Sequence, residues 1–203
     1  MIQISDLNYR VGEAPLLTEY STRIAQGEKR LILGRSGLGK TSLFKLILGF
    51  RQPQSGTIRI NGLELGQDAI QEIRSQIFYL SQDIDLMDGK VEEVLDLIFQ
   101  AQPQLEITPH DLEAGLEMLA LSPATLAKEV GALSGGERQR VGLLIGFLLN
   151  RPIWLLDEPT AALDSALKEA VAQRILDSRY TVIVISHDPV WQSHERIQLE
   201  RWS

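Results

Sequence analysis

The sequence contains no cysteine, so neither a disulfide framework nor a thiolate metal site can be built from it. That absence permits a reducing compartment without demonstrating one. Positive charge is not in excess either. The 20 Lys+Arg stand against 27 Asp+Glu, a formal net charge of −7, which argues against a chain that grips nucleic acid mainly through the phosphate backbone. Long apolar runs are also missing. Val141 to Leu149 and Thr181 to Ile185 fall well short of the ~20 residues that cross a bilayer. The opening MIQISDLNYR alternates polar and apolar residues and carries charges, where a signal peptide would have an apolar stretch. The expectation is a soluble chain that meets a membrane only through a partner. Internal repeats and low-complexity tracts are absent. Pro103, Pro109 and Pro123 cut the helical pattern from Val91 to about Leu126 into short pieces, so there is no coiled-coil insertion.

What is present is organised around Gly34 to Ser42, reading GRSGLGKTS. An apolar run, Leu31, Ile32 and Leu33, precedes it, and a helical pattern with Leu43, Phe44, Leu46, Ile47 and Leu48 follows. A strand, a glycine-rich loop and a helix beginning at a lysine point successive backbone N–H groups at one small anion. The spacing G-x-x-x-x-G-K-T in that context is the phosphate-binding loop of nucleotide hydrolases. Gly34, Gly37 and Gly39 leave the backbone free to wrap a phosphate. Lys40 would reach the β- and γ-phosphates of a nucleotide, and the Thr41 hydroxyl would ligate Mg²⁺. At 203 residues and 44% hydrophobic content, the chain supports one substantial core, with or without an attached lobe.

The remaining elements follow in order. Ile2, Ile4 and Leu7, then Leu16 to Ile24, read as antiparallel strands ahead of the Gln26-Gly27 turn. Tyr9 ends the first of them, either as a half-buried strand aromatic or as a ring stacked on a purine. Thr57 to Ile60 with the Asn61-Gly62 turn forms a hairpin. Ile77 to Leu80 is a short strand ending near Gln82, at the edge where α/β sheets bind ligands. In LSGGERQR, Leu133 to Arg140, Ser134 caps a helix whose first turn holds Gly135, Gly136 and Glu137. That makes a capping box and a second helix N-terminus suited to phosphate. Ile153 to Leu156 ends in Asp157 and Glu158, of which the first would hold Mg²⁺ and the second orient or deprotonate an attacking water. Thr181 to Ile185 ends in Ser186, His187 and Asp188.

With those pieces in place, the chain resembles the ATP-binding subunit of ABC transporters over nearly its whole length. The resemblance rests on the order and spacing of GRSGLGKT, the glutamine of YLSQD, LSGGERQR, IWLLDEP, AALD and ISHD. LSGGERQR discriminates most, because other phosphate-loop families do not carry it. The resemblance implies that Tyr9 stacks on adenine and that Gly34, Arg35, Ser36, Gly37, Leu38, Gly39, Lys40, Thr41 and Ser42 cradle the phosphates of ATP. It implies that Gln82 touches Mg²⁺ and the attacking water and senses the membrane partner. Asp157 is then the magnesium aspartate, Glu158 the catalytic glutamate and His187 the switch histidine. Ser134, Gly135 and Gly136 cover the γ-phosphate held by a second copy, and Asp164 belongs to the loop that crosses the dimer interface.

The fold so implied is α/β, a P-loop NTPase of ABC type: a mainly parallel sheet flanked by helices, with an N-terminal antiparallel β subdomain. Residues 1–84 and 149–203 would form the β subdomain and core, and about 85–148 a helical subdomain. The function so implied is ATP hydrolysis driving transport through a separately encoded transmembrane permease subunit at the cytoplasmic face of the inner membrane, in a head-to-tail homodimer. A soluble ATPase that assembles a complex or cofactor is the alternative. The apolar VGLLIGFLL after LSGGERQR lacks the arginine usual there, the helical stretch is compact, and only Glu200 to Ser203 follow the last strand, so no regulatory tail is expected. These features resemble small ATPase subunits paired with a membrane protein, including those proposed for iron export.

Overall fold

The computed structural model describes residues 1–35 and 37–202. From the N-terminus the chain runs through β1 (Ile2–Val11), β2 (Ala14–Ile24), β3 (Lys29–Leu33), α1 (Lys40–Ile47), β4 (Ser55–Ile60) and β5 (Leu63–Glu64). It continues through α2 (Ile70–Ser75), β6 (Ile77–Leu80), α3 (Val91–Gln100), α4 (Pro109–Met118) and α5 (Gly135–Leu149). The last elements are β7 (Ile153–Asp157), α6 (Ser165–Leu176), β8 (Thr181–Ile185), α7 (Pro189–Gln192) and β9 (Ile197–Arg201). Two sheets result. One is antiparallel with order β2-β1-β4-β5, and the other is parallel with order β6-β7-β8-β3-β9.

The central parallel strands β7 and β8 are buried at every position because both faces are covered. Along β7, Ile153 and Leu155 enter one core, shared with α1 and the antiparallel sheet. Trp154 and Leu156 enter the other, shared with α3 to α6. Trp154 anchors the second core between a stacked Tyr180 ring at 4.7 Å and the edge of Phe78 at 4.8 Å. The stretch from residue 85 to 148 supplies α3, α4, most of α5 and two 3-10 turns at Pro123–Ala127 and Val130–Ala132. Its buried side chains are continuous with those of the sheet. Local chemistry sets the helix ends. Thr108 and Asp111 form a capping box with Pro109 at the first helical position of α4, and Asp164 caps α6 through Leu167 N–H.

The first strand departs from simple alternation. Its pairing shifts register between Ile4 and Leu7, where Asp6 adopts φ 49°. This bulge changes the inward positions from 2 and 4 to 7 and 9. The strand then continues two residues past Tyr9, so Val11 and not Tyr9 stands at its end.

Candidate active site

In a parallel sheet the C-terminal strand ends share one edge. Here that edge carries the loop after β3, Gln82 after β6, Asp157 and Glu158 at the end of β7, and His187 after β8. Gly37 and Gly39 hold φ 87° and 88°, the left-handed region that lets the loop curl back before α1. Gly39 offers α1 no capping side chain, and the first turn holds no acidic residue. Its N–H groups and the positive end of the helix dipole therefore suit an anion. Lys40 reaches back along the loop and donates to the carbonyl oxygens of Gly34 at 2.5 Å and Arg35 at 2.8 Å. Burial lowers its pKa, opposed by the charges of Asp157 and Glu158.

Asp157 is only 2% exposed, and its Oδ2 accepts a hydrogen bond from the Thr41 hydroxyl at 2.6 Å. Burial raises the pKa of this carboxyl, with the Thr41 bond pulling the other way and the Glu158 charge adding to the rise. Its presence also helps to push the half-buried Tyr79 hydroxyl up to about 12, after burial itself. Hydroxyl and carboxylate oxygens side by side are the donors a hard cation takes. Among the described residues no group of three or more His, Cys, Asp or Glu could hold a metal ion.

The next residue, Glu158, adopts φ 50°. Its N–H still bonds Ile185 O at 2.8 Å, but the backbone has left the strand and swings the side chain toward the β8–α7 loop. There the carboxylate accepts from the Ser186 hydroxyl at 2.7 Å and from His187 N–H at 3.2 Å. Its own carbonyl accepts from the Gln139 side-chain amide at 2.7 Å, and the other end of that amide accepts from Ala162 N–H at 2.8 Å. Gln139 is 5% exposed, so α5 is fastened to the loop after β7 through one buried side chain. Thr160, Asp188 and Trp191 fasten the two loops together. Trp191 Nε1 donates to Thr160, Thr160 donates to Asp188, and Asp188 pairs with Lys168 at 2.7 Å.

At the start of α5, Ser134 Oγ accepts from Glu137 N–H at 3.2 Å, and the Glu137 carboxylate accepts from Ser134 N–H at 3.0 Å. The Lys128 ammonium at 2.6 Å and these donors hold Glu137 down at about 2. Ser134 and Gly135 are exposed. Gly136 is pressed against the loop after β7, where a Cβ would lie 2.9 Å from Ala162 O.

One cleft of about 520 Å³ brings together Gly37, Gly39, Lys40, Thr41, Ser42, Gln82, Asp157, Glu158 and His187, with Val11, Ala14 and Leu16 at its border. A neighbouring cavity of about 580 Å³ holds Gly135, Arg138, Gln139, Ala161 and Ala162 and shares only Gln82 with the first. Gly135 thus lines a different cavity from the phosphate loop of its own chain, and Ser134, Gly136 and Asp164 line neither of the two. Leu38 faces a third cavity, Gly34 and Arg35 lend carbonyls to Lys40, and Ser36 lies outside the described residues. Tyr9 requires a correction. It is 6% exposed and packed in the core between the antiparallel sheet and α1, because the bulge at Asp6 turns its ring inward. It does not border the cleft. Gln139, Ser186 and Val11 escaped the sequence reading. For Gln139 a signal existed: a polar residue at the head of an apolar helical run needs a buried partner.

A parallel α/β sheet whose edge gathers a glycine-rich phosphate loop, a Thr–Asp oxygen pair and a carboxylate held beside a histidine defines a phosphate-loop nucleotide hydrolase. The ABC transporter family matches residues 17–161, and the chain belongs to that family. It is 33% identical over 193 residues to a probable ABC transporter ATP-binding/permease protein of Haemophilus influenzae, covering 92% of this chain and 35% of that protein. The chain spans about a third of the length of the curated relatives it matches. Among solved structures it is similar to a dimeric bacterial ABC transporter cassette, with a TM-score of 0.85 and 27% identity over 99% of this chain and 94% of that one. The same cassette in a post-hydrolysis state with ADP and Pi gives a TM-score of 0.84, 27% identity, and coverage of 98% and 94%. The chain is accordingly an ATP-binding cassette of the ATPase kind.

Proposed function

We propose that this cassette converts ATP binding and hydrolysis into transport of a solute through a transmembrane permease subunit, from the cytoplasmic face of the membrane. It would work as a head-to-tail pair of copies. The observation that carries the pairing is the separation of the two phosphate-type helix N-termini: Lys40 and Gly135 line different cavities of one chain, and Ser134 and Gly135 are exposed. A twofold arrangement lets Ser134, Gly135 and Gly136 of one copy cover the nucleotide on the other copy's phosphate loop, twice over. The loop after β7, with Asp164 at the head of α6, then meets its counterpart across the axis. Residues 85–148 act as a helical subdomain that carries Ser134 to the interface.

Within each chamber Lys40 and the loop N–H groups bind and orient the β- and γ-phosphates. Thr41 and Asp157 hold Mg²⁺, which supplies charge neutralisation on the phosphate oxygens when bound. Gln82 and Glu158 hold the attacking water, Glu158 takes its proton, and His187 steadies the γ-phosphate. Loss of the γ-phosphate removes what bridges the copies and lets them part. No helix among the described residues is long and apolar enough to cross a membrane, so in this reading force passes to the permease through contact.

Light scattering of Glu158→Gln with saturating ATP and magnesium tests the proposal. The expected result is twice the monomer mass, with turnover down by about 10²-fold or more. Lys40→Ala under the same conditions stays monomeric. A Glu158→Gln chain that remains monomeric at saturating ATP, or still turns over at the parental rate, overturns it.

A further inference from the structure

The cleft has two ends of different chemistry. Lys40, Thr41, Asp157, Glu158, Gln82 and His187 occupy one, and all of them deal with phosphate, metal or water. Leu16 passes over the phosphate loop, its side chain 3.1 Å from where a Cβ on Gly39 would lie. Beyond it, Ala14 and Val11 border the cleft. With the triphosphate fixed by the loop and its γ end at the carboxylates, the nucleoside is left with this second end.

That end is aliphatic. Val11 is 54% exposed, and neither Val11, Ala14 nor Leu16 carries a ring or a hydrogen-bonding side chain. The Tyr9 ring that could have stacked a purine is turned into the core. The nearby Arg10 guanidinium is tied to Glu13 O at 2.5 Å. Two aromatic rings lie near the loop, Tyr20 and Trp202, but they border an adjoining cavity of about 410 Å³, which lies across Leu16 and Gly37 from the cleft, and neither ring lines the cleft itself. They pack edge to face at 5.4 Å, and both polar groups are spent on Glu200.

We propose that the site recognises the magnesium-bound triphosphate and leaves the base unread, so that this cassette accepts nucleoside triphosphates as a class, with Val11 as the residue that sets this indifference. A base resting on aliphatic side chains loses its water to them whichever base it is. Discrimination needs a stacking face or an edge-reading polar group. The inference rests on the nucleotide-site reading above and deepens it.

Competition of ATP, GTP, CTP and inorganic tripolyphosphate against a fluorescent trinitrophenyl nucleotide, with magnesium and in the cold, tests it on the full chain. In the parental protein the three nucleotides should bind within about threefold of one another. Val11→Tyr, an exposed position that a ring can occupy without disturbing the core, should tighten ATP and GTP by about tenfold, as one base–aromatic stack does. It should leave tripolyphosphate unchanged. Parental ATP binding tenfold or more tighter than CTP, or an ATP/CTP ratio that Val11→Tyr does not move, overturns the proposal. So does a selective loss of ATP over tripolyphosphate in Trp202→Phe, which would place the base in the neighbouring cavity. If tripolyphosphate does not compete at all, or competes as well with Lys40→Ala, the phosphate-loop reading itself falls and takes this inference with it. Base discrimination with tripolyphosphate binding intact removes this inference alone.

Discussion

The Ser186 hydroxyl donates to Oε2 of Glu158 at 2.7 Å while itself accepting from Asp188 N–H at 3.1 Å. A serine at the end of one core strand therefore holds the carboxylate at the end of the next. The backbone of Glu158 sits at φ 50°, a conformation that costs a non-glycine residue roughly 1 kcal/mol or more. The hydrogen bonds from Ser186 and His187 offset that cost and set the direction of the side chain. Removing the hydroxyl leaves the carboxylate with one fewer charge-assisted bond, worth about 1.5 to 3 kcal/mol. Ser186→Ala should lower kcat for ATP by about tenfold with little change in KM, and Ser186→Thr should restore most of it. Steady-state kinetics checks this, and a KM effect without a kcat effect would contradict it.

Gln139 reaches the same loop from α5. Its buried amide bridges Glu158 O and Ala162 N–H. The carbonyl has a second donor in Ala161 N–H at 3.2 Å, so Gln139→Leu orphans mainly the Ala162 N–H. That is worth about 1 to 3 kcal/mol, a fall in Tm of roughly 2 to 12 °C for a chain of this size. Because the bridge ties the helix that starts at Ser134 to the loop that carries Glu158, turnover should fall as well. Thermal denaturation with ATPase assay of Gln139→Leu decides the matter, and parental values of both would show that the bridge is dispensable.

How much of this was legible beforehand follows from which interactions are local. The phosphate loop and the Ser134–Glu137 capping box depend on residues within a few positions of one another, and the sequence displays them directly. The continuous apolar runs of β7 and β8 mark buried strands for the same reason, and the family resemblance supplies their parallel pairing. The resemblance puts Tyr9 on adenine, and the structure differs because a bulge at Asp6 depends on pairing with β2 and β4, not on local alternation. A one-residue change of phase sends the ring to the opposite side. The Ser186–Glu158 and Gln139–Ala162 bonds span 28 and 23 positions, and only the packed sheet edge brings them together.

Lys29 makes a structural prediction away from the cleft. Its side chain is 4% exposed, and the ammonium donates to the carbonyls of Gly27, Ser178 and Tyr180 at 3.0, 2.9 and 2.5 Å. It thereby closes the start of β3 against the turn between α6 and β8. Lys29→Met keeps the length and apolar stem but leaves those carbonyls without their donor, at a cost of about 2 to 3 kcal/mol. Tm should fall by roughly 4 to 12 °C, with nucleotide affinity nearly unchanged because the site lies at the other end of the strand. Calorimetry paired with ATP titration checks both halves, and a parental Tm would show that water replaces the ammonium there.

Asp157 couples function to stability with a definite sign in pH. Burial raises its pKa in the folded chain above the ordinary carboxylate value, so in the interval between those two values the folded state binds more protons than the unfolded one. Stability then falls as pH rises through that interval, and at neutral pH the nucleotide-free protein carries the cost of a buried charge that Lys40 only partly offsets. Asp157→Asn keeps an oxygen to accept from Thr41 and removes the charge. The nucleotide-free variant should therefore melt at a higher temperature than the parent near neutral pH. The advantage should shrink as pH falls toward the ordinary aspartate value of about 3.9, because the parental carboxyl takes up a proton on the way and loses its charge. The same variant should lose magnesium-dependent ATP turnover, because an amide oxygen is a poor substitute for a carboxylate beside a divalent ion. Melting curves collected without nucleotide across that pH range would reject the argument if Asp157→Asn were less stable at neutral pH, or if the difference did not change with pH.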